Sequence, residues 1–270
     1  MAMFRATSTS YWSDNEGRPV RFLGQGGYGH VTLVEFSPVF PSETEQYLAK
    51  KTSLMSKAES IRREIRILCH FNVPNIVRPA TPFVYTETVD GLEACSIYLE
   101  YASKGTLSDV IKENGGRLRE KHVKCFTRMI LRGLMALHAE GYVHCDLKPA
   151  NILAFPSKAV GEICELKISD FGSAKEPAED GFLTDNKICP GTLLYMSSES
   201  IGPGSRILSA LDIWSLGCVV LEMFGASCFL RTVPEDISDD AKDFISRCMK
   251  VNPAERWSAE WLMRHAFLTR

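Results

Sequence analysis

The residues that could do chemistry lie in two short runs near the middle of the chain. Residues 144–151 read His-Cys-Asp-Leu-Lys-Pro-Ala-Asn, and an Asp-Phe-Gly triplet begins at Asp170. Asp146 is a potential base and Lys148 is a cation. Asn151 and Asp170 carry oxygen atoms that suit Mg²⁺. Transfer of a phosphoryl group from ATP requires these parts, because its catalysis consists mostly of positioning and neutralisation of charge, so we expect this chemistry with ATP and Mg²⁺ as cofactors.

A glycine cluster earlier in the chain has the pattern Gly-x-Gly-x-x-Gly and consists of Gly24, Gln25, Gly26, Gly27, Tyr28 and Gly29. The pattern alone fits a dinucleotide-binding fold, an ordinary glycine turn or a loop over the phosphates of ATP. A β-branched stretch, Val31–Val34, follows the glycines where a dinucleotide-binding fold has a helix. This strand-turn-strand context argues against a dinucleotide oxidoreductase. Because glycine lets the backbone approach phosphates closely, the cluster indicates an ATP-covering loop.

These runs together resemble the glycine loop, the catalytic loop and the metal-binding loop of eukaryotic protein kinases. The resemblance covers about residues 21–268. It implies an α+β, two-lobed fold, with a small antiparallel β-sheet N-lobe carrying one main helix and a larger, mostly α-helical C-lobe. It also implies a serine/threonine kinase, since tyrosine kinases usually have a different pattern around Lys148. The Cys145 loop and residues 100–107 are similar to plant mitogen-activated protein kinase kinase kinases, which implies a MAP kinase kinase as the protein substrate.

The same resemblance implies a role for each catalytic residue. Asp146 would accept or orient the proton of the substrate hydroxyl, and Lys148 would neutralise charge on the transferred γ-phosphate. The run 48–51, Leu-Ala-Lys-Lys, matches the family's Val-Ala-Ile-Lys at its alanine, so Lys51 would hold the α- and β-phosphates. The preceding lysine would point to the opposite face of the strand. Glu64, on the following helix, would be the ion partner of Lys51.

The resemblance further implies a nucleotide site. The Glu100 carbonyl and the Ala102 amide and carbonyl would hold adenine, with Leu99 at the back of the pocket. Asn151 and Asp170 would bind Mg²⁺ together with the phosphates. The other nucleotide-binding residues that we expect are Leu23, Gly24, Gln25, Gly26, Gly27, Tyr28, Gly29, Val31, Ala49, Lys51 and Leu153.

For two later motifs, the resemblance implies a structural role and not a chemical one. Glu199 ends a Tyr-Met-Ser-Ser-Glu run in which Ser-Ser replaces the family's usual Ala-Pro. It would pair with Arg256 of a late arginine motif. Asp212 begins the family's central helix, where it would brace the backbone of the catalytic loop.

One departure from the family lies in the catalytic loop, where Cys145 replaces an arginine. That arginine usually pairs with a phosphate on the activation segment. Without it, we expect activity to depend only weakly on phosphorylation of the segment. Thr184 and Thr192 are candidate phosphorylation sites, but Thr192 is better explained as a structural contact to Asp146 and Lys148.

A second departure is the short segment 223–242, at the end of an apolar helix predicted over residues 213–230. The helix that normally follows, which often docks protein substrates, is expected to be missing or much reduced. This segment supports one alternative function, a nucleotide-binding pseudokinase or scaffold with impaired substrate docking. The complete set of catalytic positions favours an active enzyme instead.

The predicted secondary structure changes type at a short polar stretch near residues 102–105. Before this stretch, strands dominate, together with one amphipathic helix defined by Ile61, Ile65 and Leu68. After it, helices dominate, including a long one over Val123–His138. The predicted strands are Val20–Leu23, Val31–Phe36, Tyr47–Lys51, Phe83–Thr88 and Ser96–Tyr101. Residues 75–79 are a candidate for one further strand. We expect a polar tail at 1–19, an N-lobe at 20–101, a hinge at 102–105 and a C-lobe at 106–270 that includes an activation segment at 170–199.

The composition limits the class of function. The net charge is −2, with 45% hydrophobic and 24% charged residues, so the chain lacks the positive field of a nucleic-acid-binding protein. The nine cysteines form no Cys-x-x-Cys pair, and we expect reduced thiols in a cytoplasmic and/or nuclear protein. The apolar run 213–230 contains Glu222, which is costly in a bilayer. We therefore interpret that run as a buried helix and expect no membrane insertion.

Overall fold

A computed structural model describes residues 17–27, 29–36, 46–157, 161–179, 181, 191–200, 206–230 and 232–270. Most of the expected tail 1–19, the expected nucleotide contact Tyr28 and the candidate phosphorylation site Thr184 lie outside the described residues. The chain divides into two compact units, Met1–Ile61 with Pro79–Tyr101 and Arg62–Arg78 with Ala102–Arg270. The first contains an antiparallel sheet and the second contains most of the helices, which confirms the predicted α+β, protein-kinase-like fold class.

The first unit is built on a five-stranded antiparallel sheet with the strand order β1-β2-β3-β5-β4. The strands are β1 (Arg18–Gly26), β2 (Gly29–Phe36), β3 (Gln46–Leu54), β4 (Tyr85–Val89) and β5 (Leu92–Glu100). Each overlaps a strand that the sequence predicts, because β-branched and aromatic residues suit the half-buried surface of a pleated sheet. The candidate strand at 75–79 does not form, since Ile76 and Pro79 make only isolated bridges, with Ile168 and Leu99.

The glycine cluster joins β1 to β2, and the two strands stay paired as far as Gly26 and Gly29. This pairing confirms the strand-turn-strand interpretation. Gly29 has a φ of +154°, and a Cβ atom there would lie 2.0 Å from the carbonyl oxygen of Thr52 on β3. The close approach of the two strands therefore requires glycine at this position.

Helix α1 (Ala58–His70) begins in the first unit and continues into the second. Its predicted apolar positions Ile61, Ile65 and Leu68 are all buried. The pattern confirms an amphipathic helix, and burial of this face accounts for the stability of a helix too short to form alone in water.

The second unit is built around two long helices, α3 (Glu120–Ala139) and α4 (Ala210–Met223). It also contains α2 (Leu107–Glu113), α5 (Asp239–Cys248), α6 (Ala259–Met263), α7 (Ala266–Thr269) and the antiparallel hairpin of β6 (Ile152–Phe155) and β7 (Glu165–Ile168). Helix α3 confirms the long helix predicted over Val123–His138. Helix α2 starts at a capping box, in which the Thr106 hydroxyl accepts the Asp109 N–H and the Asp109 carboxylate accepts the Thr106 N–H.

Helix α4 corrects one prediction, because it ends at Met223 and not at Leu230. Gly225 adopts a left-handed conformation with a φ of +78°, and this conformation terminates helices. Residues 211–221 of α4 are all buried, as the sequence predicts for this apolar run. None of the described helices combines the length and the apolar character needed to cross a bilayer.

The segment between α4 and α5 is short and irregular, and its described residues, 224–230 and 232–238, contain no helix. Within these ranges the docking helix is therefore absent, as expected. Phe229 and Leu230 are strongly exposed there. Polar contacts hold the end of the segment, since Asp236 pairs with Arg117 at 2.6 Å and the Ser238 hydroxyl donates to Glu120 at 2.8 Å.

Candidate active site

The carboxylate of Asp146 is the centre of a hydrogen-bond network in the second unit. Its Oδ2 atom accepts hydrogen bonds from Lys148 Nζ at 2.8 Å and from Asn151 Nδ2 at 3.0 Å. Its Oδ1 atom accepts a hydrogen bond from Thr192 Oγ1 at 2.7 Å, and Lys148 Nζ also donates to Thr192 Oγ1 at 2.6 Å. The structure thus brings the three expected residues of the catalytic loop together, and it confirms the expected contact of Thr192 with Asp146 and Lys148.

This network can orient a carboxylate toward a hydroxyl group. The Asp146 side chain is only 11% exposed, and donors fix both of its oxygen atoms. An oriented carboxylate within reach of a hydroxyl can accept its proton, as general-base catalysis requires. The ammonium group of Lys148 adds a positive charge beside the carboxylate, and such a charge can stabilise negative charge that develops on a transferred phosphoryl group.

The hairpin of β6 and β7 brings the two expected metal ligands to the same end of its strands. Asn151 precedes β6 and Asp170 follows β7, and the first pair of the ladder is Ile152 with Ile168. The N–H and the hydroxyl of Ser169 both donate to the Asn151 carbonyl, each at 2.9 Å. The Asn151 amide nitrogen is engaged in the catalytic loop, so its side-chain oxygen is the atom that can bind a cation. An amide oxygen and a carboxylate form a hard donor set that fits a hard divalent cation.

The backbone of the catalytic loop is strained at Cys145, which has a left-handed φ of +67°. This region is uncommon for residues other than glycine, asparagine and aspartate, so other contacts must hold the loop. Asp212 supplies them, because its carboxylate accepts the backbone N–H of His144 at 2.8 Å and that of Cys145 at 3.0 Å. The role expected for Asp212, bracing of the catalytic loop, is confirmed.

Asp212 is fully buried at the start of α4. Burial alone would raise the pKa of its carboxyl group. The hydrogen bond with His138 Nε2 at 2.8 Å and the backbone donor at His144 outweigh burial, and the pKa of Asp212 lies below its ordinary value. The carboxylate is therefore ionised at neutral pH and can accept all of these hydrogen bonds.

His144 is a functional residue to which the sequence reasoning assigned no role. Its buried ring accepts the Asp146 N–H at Nδ1 at 3.2 Å, so Nε2 carries the proton that is donated to the Ser169 carbonyl at 2.9 Å. The ring also packs against Phe171, with ring centroids 4.9 Å apart. His144 thus connects the catalytic loop to the Asp-Phe-Gly triplet. Its position two residues before the expected base was the available signal.

Glu199 and Arg256 form the expected ion pair. Two Nη atoms of Arg256 lie 2.5 and 2.9 Å from the carboxylate oxygens of Glu199. The fully buried guanidinium also donates to the Lys250 and Ala210 carbonyls and stacks on Trp214 at 4.9 Å. Burial opposes ionisation of Glu199, but the hydrogen bonds from Arg256 outweigh it and lower the pKa of Glu199. The pair anchors residue 199, the end of the predicted activation segment.

The first unit carries expected nucleotide-binding residues on neighbouring strands of its sheet. Leu23, Gly24, Gln25, Gly26 and Gly27 lie on or directly after β1, Gly29 and Val31 on β2, Ala49 and Lys51 on β3, and Leu99 and Glu100 on β5. Lys51 is buried, whereas Lys50 pairs with Glu87 at 2.7 Å. The adjacent lysines therefore face opposite sides of β3, as the alternation of a strand predicts.

Three further expected site residues, Glu64, Ala102 and Leu153, belong to the second unit. Glu64 is fully buried on α1. The chain that follows Ala102 runs beside β6, since residues 104–105 exchange hydrogen bonds of 3.2 and 2.8 Å with Ala154. This pairing fixes the expected hinge segment against the strand that carries Leu153.

Glu222 and Tyr195 form a half-buried pair with a predictable pH dependence, in which the Tyr195 hydroxyl donates to Glu222 Oε2 at 2.7 Å. Burial raises the pKa of Glu222, and the hydrogen bond from Tyr195 offsets only part of this shift. A carboxyl with a raised folded-state pKa stabilises the fold below its ordinary pKa of 4.5, and this contribution is lost as the pH rises through the folded-state pKa. We therefore expect Glu222→Gln to raise Tm at about pH 7. The difference in Tm between this variant and the unchanged protein should become smaller toward about pH 5.

Differential scanning fluorimetry across this pH range measures the gap in Tm between the Glu222→Gln variant and the unchanged protein. Glu113→Gln, at an exposed position at the end of α2, is the matched control and should follow the unchanged protein throughout. A gap of the same size at every pH would contradict the assignment of a raised pKa to Glu222.

Comparison with known proteins gives one family model and a set of relatives. The model for the protein kinase domain matches residues 18–268. Mitogen-activated protein kinase kinase kinase 20 of Arabidopsis thaliana is 39% identical over 205 residues, which cover 67% of this chain and 57% of that protein. Mitogen-activated protein kinase kinase kinase 18 of the same plant is 34% identical over 253 residues, which cover 84% of this chain and 71% of that protein.

The mitogen-activated protein kinase kinase kinase YODA of Arabidopsis thaliana is a longer relative. It is 35% identical over 275 residues, which cover 92% of this chain but only 29% of that protein. The chain therefore spans 57% and 29% of the lengths of the kinase 20 and YODA relatives.

Proposed function

The chain belongs to the protein kinase family, and from this premise we propose that it transfers the γ-phosphate of ATP to serine or threonine hydroxyl groups of a protein substrate. Membership of the family implies the use of ATP, a divalent metal and a protein substrate. We propose Mg²⁺ as that metal. The observation that carries the proposal is the Asp146 carboxylate held by Lys148, Asn151 and Thr192, since this arrangement can orient a substrate hydroxyl beside a positive charge.

In the proposed mechanism the residues of the second unit act on the transferred group. Asp146 orients the attacking hydroxyl and accepts its proton. Lys148 stabilises negative charge on the γ-phosphate as the bond to the leaving group breaks. Asn151 and Asp170 would hold Mg²⁺, which supplies positive charge to the phosphates when it is bound. Thr192 fixes the relative positions of Asp146 and Lys148, because its hydroxyl forms hydrogen bonds with both.

The nucleotide itself is proposed to be held by residues from the sheet and by the hinge. Lys51 would neutralise the α- and β-phosphates, with Glu64 as its ion partner, and the β1–β2 glycine hairpin would cover them. Backbone groups of Glu100 and Ala102 would bind adenine.

A MAP kinase kinase is the protein substrate that we propose. The support is similarity to relatives named as mitogen-activated protein kinase kinase kinases, which are 34–39% identical to this chain in the three comparisons given above. The absence of a helix in 224–230 and 232–238 leads us to expect weak docking of a folded substrate. The alternative function, a pseudokinase scaffold, is not favoured, because the six positions that carry the chemistry are all filled: Lys51, Glu64, Asp146, Lys148, Asn151 and Asp170.

Incubation of the purified protein with radiolabelled ATP, Mg²⁺ and a panel of catalytically inactive MAP kinase kinases tests the proposal. We expect label on serine or threonine of at least one panel member, and none with the Asp170→Asn variant. A short peptide cut from the labelled substrate should be phosphorylated relatively better than the folded protein, in comparison with a relative that has the docking helix. Binding of an ATP analogue without transfer to any panel member would instead support the scaffold function.

We further propose that the protein works in the cytoplasm and/or the nucleus. The cysteines that the structure describes are free thiols. Burial raises the pKa of Cys125 to about 11 and that of Cys164 to about 12, so these thiols are poor thiolates with low reactivity. Fluorescence imaging of the tagged protein tests the location, and a signal confined to the secretory pathway would contradict it.

A further inference from the structure

A side-chain hydrogen bond connects the edge strand β1 to the end of β5, which lies three strands away in the sheet of the first unit. The register of β1 with β2 shifts twice, at residues 19–21 and at residues 22–24. Such shifts interrupt the ladder of backbone hydrogen bonds that holds a strand in place. The Nη2 atom of Arg21 donates a hydrogen bond to the Tyr101 hydroxyl, directly after β5, at 2.8 Å. Arg21 and Tyr101 both belong to the first unit and are 80 positions apart, so this bond is a tertiary contact that supplements the backbone ladder.

The strand pairing shows which face of the sheet this bond crosses. A row of directly opposed residues runs from β1 through β2 and β3 to β5 and consists of Arg21, Leu33, Ala49 and Leu99. Directly opposed residues share one face of a sheet. Tyr101 lies two residues beyond Leu99, and the alternation of a strand gives it the same face. The bond therefore spans the face that carries Ala49 and Leu99, two of the expected nucleotide-binding residues.

The row of opposed residues is buried except at its β1 end. Leu33, Ala49 and Leu99 are only 6–8% exposed, whereas Arg21 is an exposed residue. An arginine in this position can lay its apolar stem along buried side chains and keep its guanidinium group in water. The Tyr101 hydroxyl fixes that guanidinium group at the end of β5. The bond thus limits how far β1 can move away from β5.

The bond acts on the part of β1 that is expected to cover the nucleotide. Leu23 follows Arg21 by two residues and lies within the second register shift of the strand. We propose that Arg21 and Tyr101 are positioning residues, which fix β1 relative to β3 and β5 so that a flat purine ring is bound in a slot of constant width. The nucleotide-binding residues expected from the sequence include neither of the two. This inference rests on the proposed function, in which the sheet of the first unit binds ATP.

Removal of one oxygen atom tests the positioning role. Tyr101→Phe should raise KM for ATP by about threefold to tenfold, as expected for the loss of one hydrogen bond. The value of kcat should not change, because a loss confined to nucleotide binding appears in KM alone. Tyr47→Phe is the matched control, because it removes a tyrosine hydroxyl that donates to Glu35 at 2.8 Å in the same sheet, and its KM should equal that of the unchanged protein. An unchanged KM for Tyr101→Phe, or a loss that appears in kcat instead, would contradict the positioning role.

A double variant distinguishes positioning from a direct contact of Arg21 with the nucleotide. Arg21→Met removes the guanidinium group and keeps an apolar side chain, so it should raise KM by about as much as Tyr101→Phe. In the combined variant KM should rise no further, because both changes remove the same hydrogen bond. If the two increases in KM multiply, Arg21 acts on the nucleotide independently of Tyr101, and the proposal is wrong.

Hydrogen exchange provides a measure that does not depend on catalysis. In the protein without nucleotide, Tyr101→Phe should speed the exchange of backbone amides in β1 by at least about threefold, and Tyr47→Phe should not. Unchanged exchange would overturn the proposal even in an active enzyme. Absence of phosphotransfer by the unchanged protein would contradict only the proposed function. The dissociation constant of a non-hydrolysable ATP analogue would then replace KM in each comparison, and the exchange of β1 amides would still decide whether the bond holds the strand.

Discussion

Asp146→Asn is expected to lower the rate of phosphotransfer by about a thousandfold while the protein keeps its fold. Asparagine has the same shape as aspartate, but its amide group cannot take up the proton of a substrate hydroxyl. The –NH₂ group of the asparagine would also face a group that now donates a hydrogen bond to Asp146, either the Lys148 ammonium or the Thr192 hydroxyl. The loop is partly open to water, so solvent can satisfy the displaced donor and Tm should change little.

The measurement is the initial rate of label transfer from ATP at saturating substrate, together with Tm and the binding of an ATP analogue. Asp239→Asn is a matched control, because Asp239 is a fully exposed aspartate whose Oδ1 lies 3.5 Å from Lys242 Nζ. Its rate should equal that of the unchanged protein. A folded Asp146→Asn variant that loses less than about tenfold in rate would contradict the role of Asp146 as the base.

Asp212→Asn is expected to lower the free energy of unfolding by about 3–5 kcal/mol and to abolish phosphotransfer together with it. The buried carboxylate now accepts hydrogen bonds from the backbone of His144 and Cys145 and bonds to the His138 ring. Asparagine retains one acceptor oxygen and turns an –NH₂ group toward the remaining donors, which leaves buried N–H groups unpaired. Cys145 would also lose the contact that holds its left-handed backbone.

Urea unfolding of both proteins at about pH 7 and at about pH 2 measures this loss and its pH dependence. Because the pKa of Asp212 is lowered in the folded state, its contribution is present above its ordinary pKa of 3.8 and is lost as the pH falls through the folded-state pKa. The difference between the two proteins should therefore shrink in acid. Asp236→Asn is the control, because it removes an exposed carboxylate paired with Arg117. Its urea unfolding curve should match that of the unchanged protein. Superimposable curves for Asp212→Asn would contradict the bracing role.

The sheet could be predicted because each of its strands has a local signal. Short runs rich in apolar and aromatic residues, bounded by glycine and proline, locate β1, β2 and β3. The position of the glycines between two such runs indicates that they form a hairpin turn. The end of α4 could not be predicted in the same way. Hydrophobic residues continue beyond Met223, and the apolar pattern alone does not show that Gly225 takes a left-handed conformation there.

The chemical groups of this protein could be identified without coordinates, because phosphoryl transfer demands a base, a cation and hard metal ligands. The chain supplies these groups in a recognisable order, as Asp146, Lys148, Asn151 and Asp170. The contacts that support those groups could be seen only in the folded chain. The hydrogen bond of His144 to Ser169, the bracing of Cys145 by Asp212 and the ion pair of Arg63 with Glu179 join segments far apart in the chain. Hydrogen bonds and ion pairs act over a few ångströms of space, whereas periodicity and spacing report only on neighbours along the chain.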